Sequence, residues 1–188
     1  MIELHISDAQ WIELGQRVQA AGQNAPRALT RAINHTGKKA RTQMVRALAD
    51  QTGLKLKVTR KALKTKNASG VNGSFVIRSE GGNIRLKFFK ARETRKGVVA
   101  SPWNKRTTYA GVFMKGGRFP KRVDLGMHGA TVYRAGKARY PLKTQKSGLF
   151  IPTEMVKAQT AAAFYNTAQR ELPPRLLHEL GRALAGKR

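Results

Sequence analysis

The side chains in this sequence that could do chemistry are lysines and arginines, and they are concentrated. Between Leu54 and Lys146 there are 24 of them against three carboxylates, Glu80, Glu93 and Asp124. The flanking stretches 1–53 and 147–188 each contribute only about +3 to a net charge of +27. Ordinary solvated faces mix both signs, whereas a block this lopsided repels itself unless an anionic partner neutralises it. The chemistry on offer is salt-sensitive, multi-point contact with phosphates or with an acidic protein surface. The candidate contact residues are Arg60, Lys61, Lys64 and Lys66, then Arg78, Arg85 and Lys87, then Lys90, Arg92, Arg95 and Lys96.

Other chemistries find little support. The four histidines, His5, His35, His128 and His178, are scattered, with no i, i+4 pair and no carboxylate cluster beside them, so no metal site is expected. The carboxylates of the basic block are isolated, and Arg92, Glu93 and Arg95 read as a local ion pair rather than an acid–base set. No glycine-rich run ends in Lys-Ser or Lys-Thr, which excludes a Walker-type phosphate cradle. There are no cysteines, hence no disulfide, thiol nucleophile or zinc finger; this fits a reducing compartment. No enzyme activity and no cofactor are expected. No helix-turn-helix or RNP-like run points to sequence-specific readout. The aromatics among the cations (Phe88, Phe89, Trp103, Tyr109, Phe113, Phe119, Tyr133, Tyr140) sit mostly at strand positions, where core packing accounts for them better than base stacking.

The elements that must carry these residues can be read in order. Met1–Ile6 alternates as a short half-buried strand. Ser7 and Gln10 form a capping box for a helix over Asp8–Ala21 that buries Trp11, Leu14, Val18 and Ala21 and stops at Gly22. A long helix follows from Pro26 to Asp50, with Leu29, Ile33, Ala40, Met44 and Leu48 as its apolar stripe and Thr52-Gly53 as its end. Gly37 inside it costs ~1 kcal/mol against alanine, which marks a close helix contact. A short helix near Thr59–Lys64 turns Arg60, Lys61 and Lys64 outward. Ser74–Ser79 and Asn83–Lys90 flank Gly81-Gly82 as a hairpin, setting Ile77 against Leu86, Phe75 against Phe88, Val76 against Lys87 and Arg78 against Arg85. Ala91–Gly97 is a charged loop, Val98–Ala100 and Thr107–Met114 are strands, and Lys115–Ala130 is a long exposed loop. Thr131–Arg134 and Leu149–Ile151 complete the sheet. A nearly uncharged helix opens at Thr153 and Glu154, Pro173-Pro174 breaks it, and a last helix runs from Arg175 to Ala185 on a stripe of Leu176, Leu177, Leu180 and Leu184.

The 188 residues suit one domain: a mainly helical part over 1–66, a basic β-rich part with long loops over 67–151, and C-terminal helices over 152–188. The fold class is α+β, with long N-terminal helices on a small antiparallel β-sheet or barrel. No apolar run reaches the ~20 residues of a membrane span, and the N-terminus lacks the pattern of a signal peptide. A soluble protein made in the cytoplasm, with no membrane partner, is the expectation.

The order of these features resembles the minor tail protein Z, or tail-completion, family of long-tailed bacteriophages of the lambda type. Four stretches carry the resemblance: Arg31-Ala32-Ile33-Asn34; the run LKLKVTRKALKTKNAS from Leu54 to Ser69; Ala110-Gly111-Val112-Phe113-Met114; and Arg139-Tyr140-Pro141-Leu142 with the later Glu171-Leu172-Pro173. The segment Gly116–Ala130 is longer than is usual in relatives, so the resemblance implies nothing for it. The resemblance implies a non-catalytic structural virion protein that acts in tail completion and in joining tail to head, in the tail near the head–tail junction. It implies a homo-oligomeric ring, sixfold by analogy with other tail rings. Its partners would be other copies of itself, tail and neck proteins, and double-stranded DNA passing through. The low-charge C-terminal helices, with Val156, Phe164, Tyr165, Leu176, Leu177, Leu180 and Leu184, are the candidate ring interface. The alternative reading is a free, non-sequence-specific nucleic-acid-binding protein. A small nuclease would need a clustered acid or histidine set that the sequence lacks.

Overall fold

The computed structural model describes residues 8–70 and 73–186, without the side chains of residues 8–12 and of Ala158. The strand expected over Met1–Ile6, the Ser7 cap and the burial of Trp11 lie outside what is described. The elements in order are α1 (Asp8–Ala21), α2 (Ala25–Thr52), α3 (Leu56–Ala62), β1 (Leu63–Lys66), β2 (Val76–Ser79), β3 (Asn83–Arg85), β4 (Arg92–Thr94), β5 (Gly97–Ala100), β6 (Thr107–Tyr109), β7 (Val132–Arg134), β8 (Leu142–Thr144), β9 (Lys146–Phe150), α4 (Ile151–Met155) and α5 (Ala158–Leu184). The fold is α+β. The strands form small antiparallel sheets, ordered β1-β2, β3-β9, β4-β5-β6 and β7-β8, and no closed barrel exists among the described residues.

The chain divides into two compact units, and the division falls inside α2 after Val45. A helical unit takes Met1–Val45, Lys64–Arg78 and Ala158–Arg188, and a basic unit takes Arg46–Leu63 and Ser79–Lys157.

In the helical unit, α1 packs on α5. Ala21, Ala25, Ala28 and Leu180 are buried together, with Leu14, Val18 and Ala183 against them. The buried line of α2 continues through Ala32, Thr36 and Ala40 to Met44, a regular three-and-four spacing. Leu29 and Ile33, expected on that stripe, are only half-buried. Small residues at the seam let neighbouring elements approach closely. Asn34 fastens one of them: its carbonyl accepts the Ala68 N–H at 2.7 Å, and its amide donates to the Ala68 carbonyl at 2.9 Å. Gly37 does mark a close approach, but to a ring rather than a helix. A Cβ there would land inside the Phe75 side chain.

Helix α5 continues through Pro173 and Pro174, where the sequence predicts a break. An internal proline costs ~3 kcal/mol or more. Ties to α2 on both sides of the pair hold the helix together. Glu171 receives the Lys39 ammonium at 2.7 Å, Arg31 lies 4.0 Å from Glu179, and Leu176 and Leu180 are buried.

The buried residues of the basic unit are larger: Leu48, Leu54, Leu63, Leu86, Phe89, Val98, Leu149 and Ile151. Here the expected hairpin is absent, because β2 pairs with β1 and β3 pairs with β9. Hence Ile77/Leu86, Phe75/Phe88, Val76/Lys87 and Arg78/Arg85 are not cross-strand pairs. Gly81 sits at φ 144°, away from the left-handed conformation a two-residue hairpin turn requires. Strand β3 is held instead by long-range ties, since Asn83 accepts the Gly148 N–H at 2.8 Å and Ser147 donates to the Ile84 carbonyl at 2.8 Å. Residues 86–88 form a 3₁₀ turn rather than more strand.

The true two-residue hairpin is the stretch read as a charged loop. Strands β4 and β5 pair Thr94 with Gly97, leaving Arg95 and Lys96 at the tip. Gly97 is obligatory there, at φ 129° with the Tyr109 carbonyl where a Cβ would go. Strand β6 ends at Tyr109, short of the expected Met114, because Gly111 turns at φ 71°. Phe113 then makes an isolated bridge with Val132. Helix α3 starts earlier than expected and gives way at Leu63 to strand, and α4 starts at Ile151 with Pro152 in its first turn.

Candidate anion-binding surface

The basic unit contains 23 lysines and arginines against five carboxylates, a balance of +18. Of those 23, all but Lys87 and Arg122 are exposed. The helical unit has nearly the same length and a balance of +9.

The eleven candidate cations are divided between the two units, three in the helical unit and eight in the basic unit. Arg60 and Lys61 end α3, where positive charge complements the helix C-terminus. Lys64, Lys66 and Arg78 are exposed on the β1–β2 sheet of the helical unit, so the basic hairpin face joining Arg78 to Arg85 and Lys87 does not exist. Arg85 faces Lys146 across the β3–β9 ladder beside a register shift. Like charges opposed on a ladder are unfavourable without an anion between them. Lys87 is half-buried, with its ammonium 5.5 Å from the centre of the Phe88 ring. Lys90, Arg92, Arg95 and Lys96 do gather, along the β4–β5 hairpin and the residues leading into it.

On β4 the alternation of the strand separates the charges. Arg92 is exposed, while Glu93 turns inward and pairs with Arg122 of the long loop. The local Arg92–Glu93–Arg95 ion pair expected from the sequence is therefore replaced by a contact 29 residues away. Glu93 also accepts the Met114 N–H at 3.4 Å. Among the described residues no group of three His, Asp or Glu lies close enough to hold a metal ion.

The aromatics correct the sequence reading most. Of the eight rings named from the sequence, Phe89 alone is fully buried; Phe88, Trp103, Phe119 and Tyr140 are exposed. Cations lie over several of the rings: Arg95 is 5.7 Å from Phe119, Arg134 5.8 Å from Phe113 and Arg139 5.6 Å from Tyr140. Each pair fixes a guanidinium in place by attraction to the ring face. Trp103 and Asn104 hold left-handed φ values of 51° and 58°, a costly backbone for residues other than glycine. Asn104 secures that turn by donating to the Asp50 carbonyl at 2.6 Å.

The residues offered as a ring interface divide by burial. Leu180 is 0% and Leu176 8% exposed in the chain's own core, so neither can face a neighbour. Phe164 and Leu177 are half-buried, and Val156, Tyr165 and Leu184 are exposed.

The stretches that carry the family resemblance prove to be scaffolding where their contacts are clearest. Arg31 reaches Glu179, Asn34 holds Ala68, and Phe113 exchanges both backbone hydrogen bonds with Val132 at 2.8 and 2.9 Å. Residue spacing alone did not suggest these partners. No helix among the described residues is long and apolar enough to cross a membrane. Comparison with curated proteins and with solved structures finds no match. Residues 17–187 match the model of the prophage minor tail protein Z family, and the chain belongs to that family of structural phage tail proteins.

Proposed function

We propose that this minor tail protein completes the phage tail and acts at the head–tail junction, as a homo-oligomeric ring with the basic unit turned toward DNA or acidic neighbours. Its role in this reading is structural rather than catalytic. The observation that supports it most is the exposure of 21 of the 23 cations in the basic unit. Charge at that density favours assembly against something negative, and packaged DNA entering a tail supplies it. Val156, Tyr165 and Leu184, with the accessible parts of Phe164 and Leu177, are the residues left to contact adjacent subunits, in a closed heterologous ring.

Sedimentation of the purified protein tests the ring. A discrete closed oligomer, six copies by analogy with other tail rings, is the expected result. A monomer that binds any duplex with high affinity would replace this reading with that of a free nucleic-acid-binding protein. The DNA surface has its own test. Six to ten phosphate contacts weaken binding by ~10³–10⁵ between ~50 and ~200 mM salt, and a flat response would indicate an acidic protein partner instead.

A further inference from the structure

The long loop over residues 115–130 forms one side of an open cup of about 400 Å³, with Lys115, Gly116, Gly117 and Arg122 facing Gly111, Phe113 and Arg134 in its lining. Its frame is fastened at several points. Phe113 and Val132 bridge one end, and Gly116 and Val123 exchange backbone hydrogen bonds at 2.8 and 3.0 Å. Arg122 fastens the loop by pairing with Glu93 and donating to the Gly117 carbonyl. At the rim, the Arg134 guanidinium is held over the Phe113 ring, 5.8 Å from its centre. Lys115 and Arg134 are both exposed there.

Three cations therefore line one concavity; Arg122 is engaged with Glu93, which leaves Lys115 and Arg134 as its two exposed cations. Holding like charges together this way is unfavourable until an anion enters. We infer that this cup is a seat for a phosphate oxyanion, contacted by Arg134 and Lys115, with Arg122 as the residue that positions the loop around it. Phosphate suits the site better than a carboxylate because it carries up to two negative charges to set against the two exposed cationic donors. A tetrahedral dianion can satisfy them together, and an arginine fork matches its geometry. The source is either a nucleic-acid backbone or a free or terminal phosphate. The seat gives a purpose to a loop that the proposed ring role leaves unexplained. It rests on that role only for where the phosphate comes from.

The test uses the full chain titrated with inorganic phosphate, followed by heteronuclear NMR, and compares two double variants of equal charge. Lys115→Ala/Arg134→Ala removes the cup's contacts. Arg118→Ala/Lys121→Ala removes two exposed cations of the same loop that do not line it. The expected result is saturable phosphate binding centred on residues 111–134, weakened about tenfold or more by the first pair and little by the second. Equal weakening by both pairs, no saturable binding, or equal binding of acetate would overturn the inference. Binding to a short duplex then assigns the source. A backbone phosphate in the cup means that the first pair lowers the slope of log affinity against log salt by about 1–2. An unchanged slope with phosphate binding lost assigns a free or terminal phosphate. Either result is independent of the sedimentation outcome, so the ring and the seat stand or fall separately.

Discussion

The helical unit carries 14 cations over 91 residues and the basic unit carries 23 over 97, yet each has five carboxylates. They use those acids differently. In the helical unit Glu179, 1% exposed, gathers Arg175 from its own helix, Arg182 at 3.9 Å and Arg31 of α2 at 4.0 Å. Glu171 takes Lys39 of α2 as well as its neighbour Arg170. Acids there neutralise cations in groups and bind helices together. In the basic unit Glu93 ties down a single loop arginine, and Glu154 takes Gln51 at 2.9 Å and Lys157 at 3.8 Å. Most cations of that unit are left to water. One unit is built to stand on its own charges, and the other presents them.

That contrast can be broken most directly at Glu179. Glu179→Ala leaves three arginines around an empty position. Because they are partly solvated, the loss should fall near the low end of the ~3–5 kcal/mol typical of a broken buried pair, about 3 kcal/mol by urea denaturation. A loss under about 1 kcal/mol would show that the helical unit does not depend on its acids. The matching change in the basic unit, Glu93→Ala, should cost less, about 1–2 kcal/mol. The freed Arg122 sits on a loop and can turn to solvent. Its larger effect should be local, with faster tryptic cleavage at Arg118 and Lys121. Equal global losses from the two changes would erase the difference drawn between the units.

A smaller effect is expected at Gly37, where alanine improves helix propensity by ~1 kcal/mol but must displace the Phe75 ring at ~1–3 kcal/mol. The net expectation for Gly37→Ala is a loss of about 1 kcal/mol. A gain of that size would mean that the ring moves aside freely.

These sites also mark what the sequence could say. Periodicity located α1 to the residue and α2 to within two residues at each end, because both signals are local. Capping, propensity and the apolar repeat all act within a few turns. The hairpin failed because a Gly-Gly pair reports only that a turn is possible. The ties deciding the partner of β3, from Asn83 to Gly148 and from Ser147 to Ile84, span 65 and 63 residues. The same limit hid the Glu93–Arg122 pair, the hold of Asn34 on Ala68, and the continuation of α5 through two prolines. For the candidate site, the sequence located the concentration of charge between Leu54 and Lys146. It misread the aromatics, since an alternating pattern says that a ring could be buried and not that anything covers it. The convergence of Lys115, Arg122 and Arg134 was illegible, because it depends on how a glycine-rich loop closes.

The smallest effect sharpens the contrast from inside the milder unit. His35 is held below its ordinary value of 6.5 by burial first, then by Arg175 and Lys39, against the opposing pull of Glu171 and Glu179. The folded pKa is depressed, so as pH falls the unfolded chain takes up this proton first. The His35 contribution is whole above about pH 6.5 and declines as pH falls toward the lower folded value. An NMR titration of the ring should give a midpoint below 6.5, and Glu171→Gln should lower it further by removing one of the two acids that raise it. His35→Gln should flatten the stability slope just below that pH. A midpoint at or above 6.5 would mean that the acids outweigh burial and the two cations at this position, and that the helical unit is better neutralised than its cation count implies.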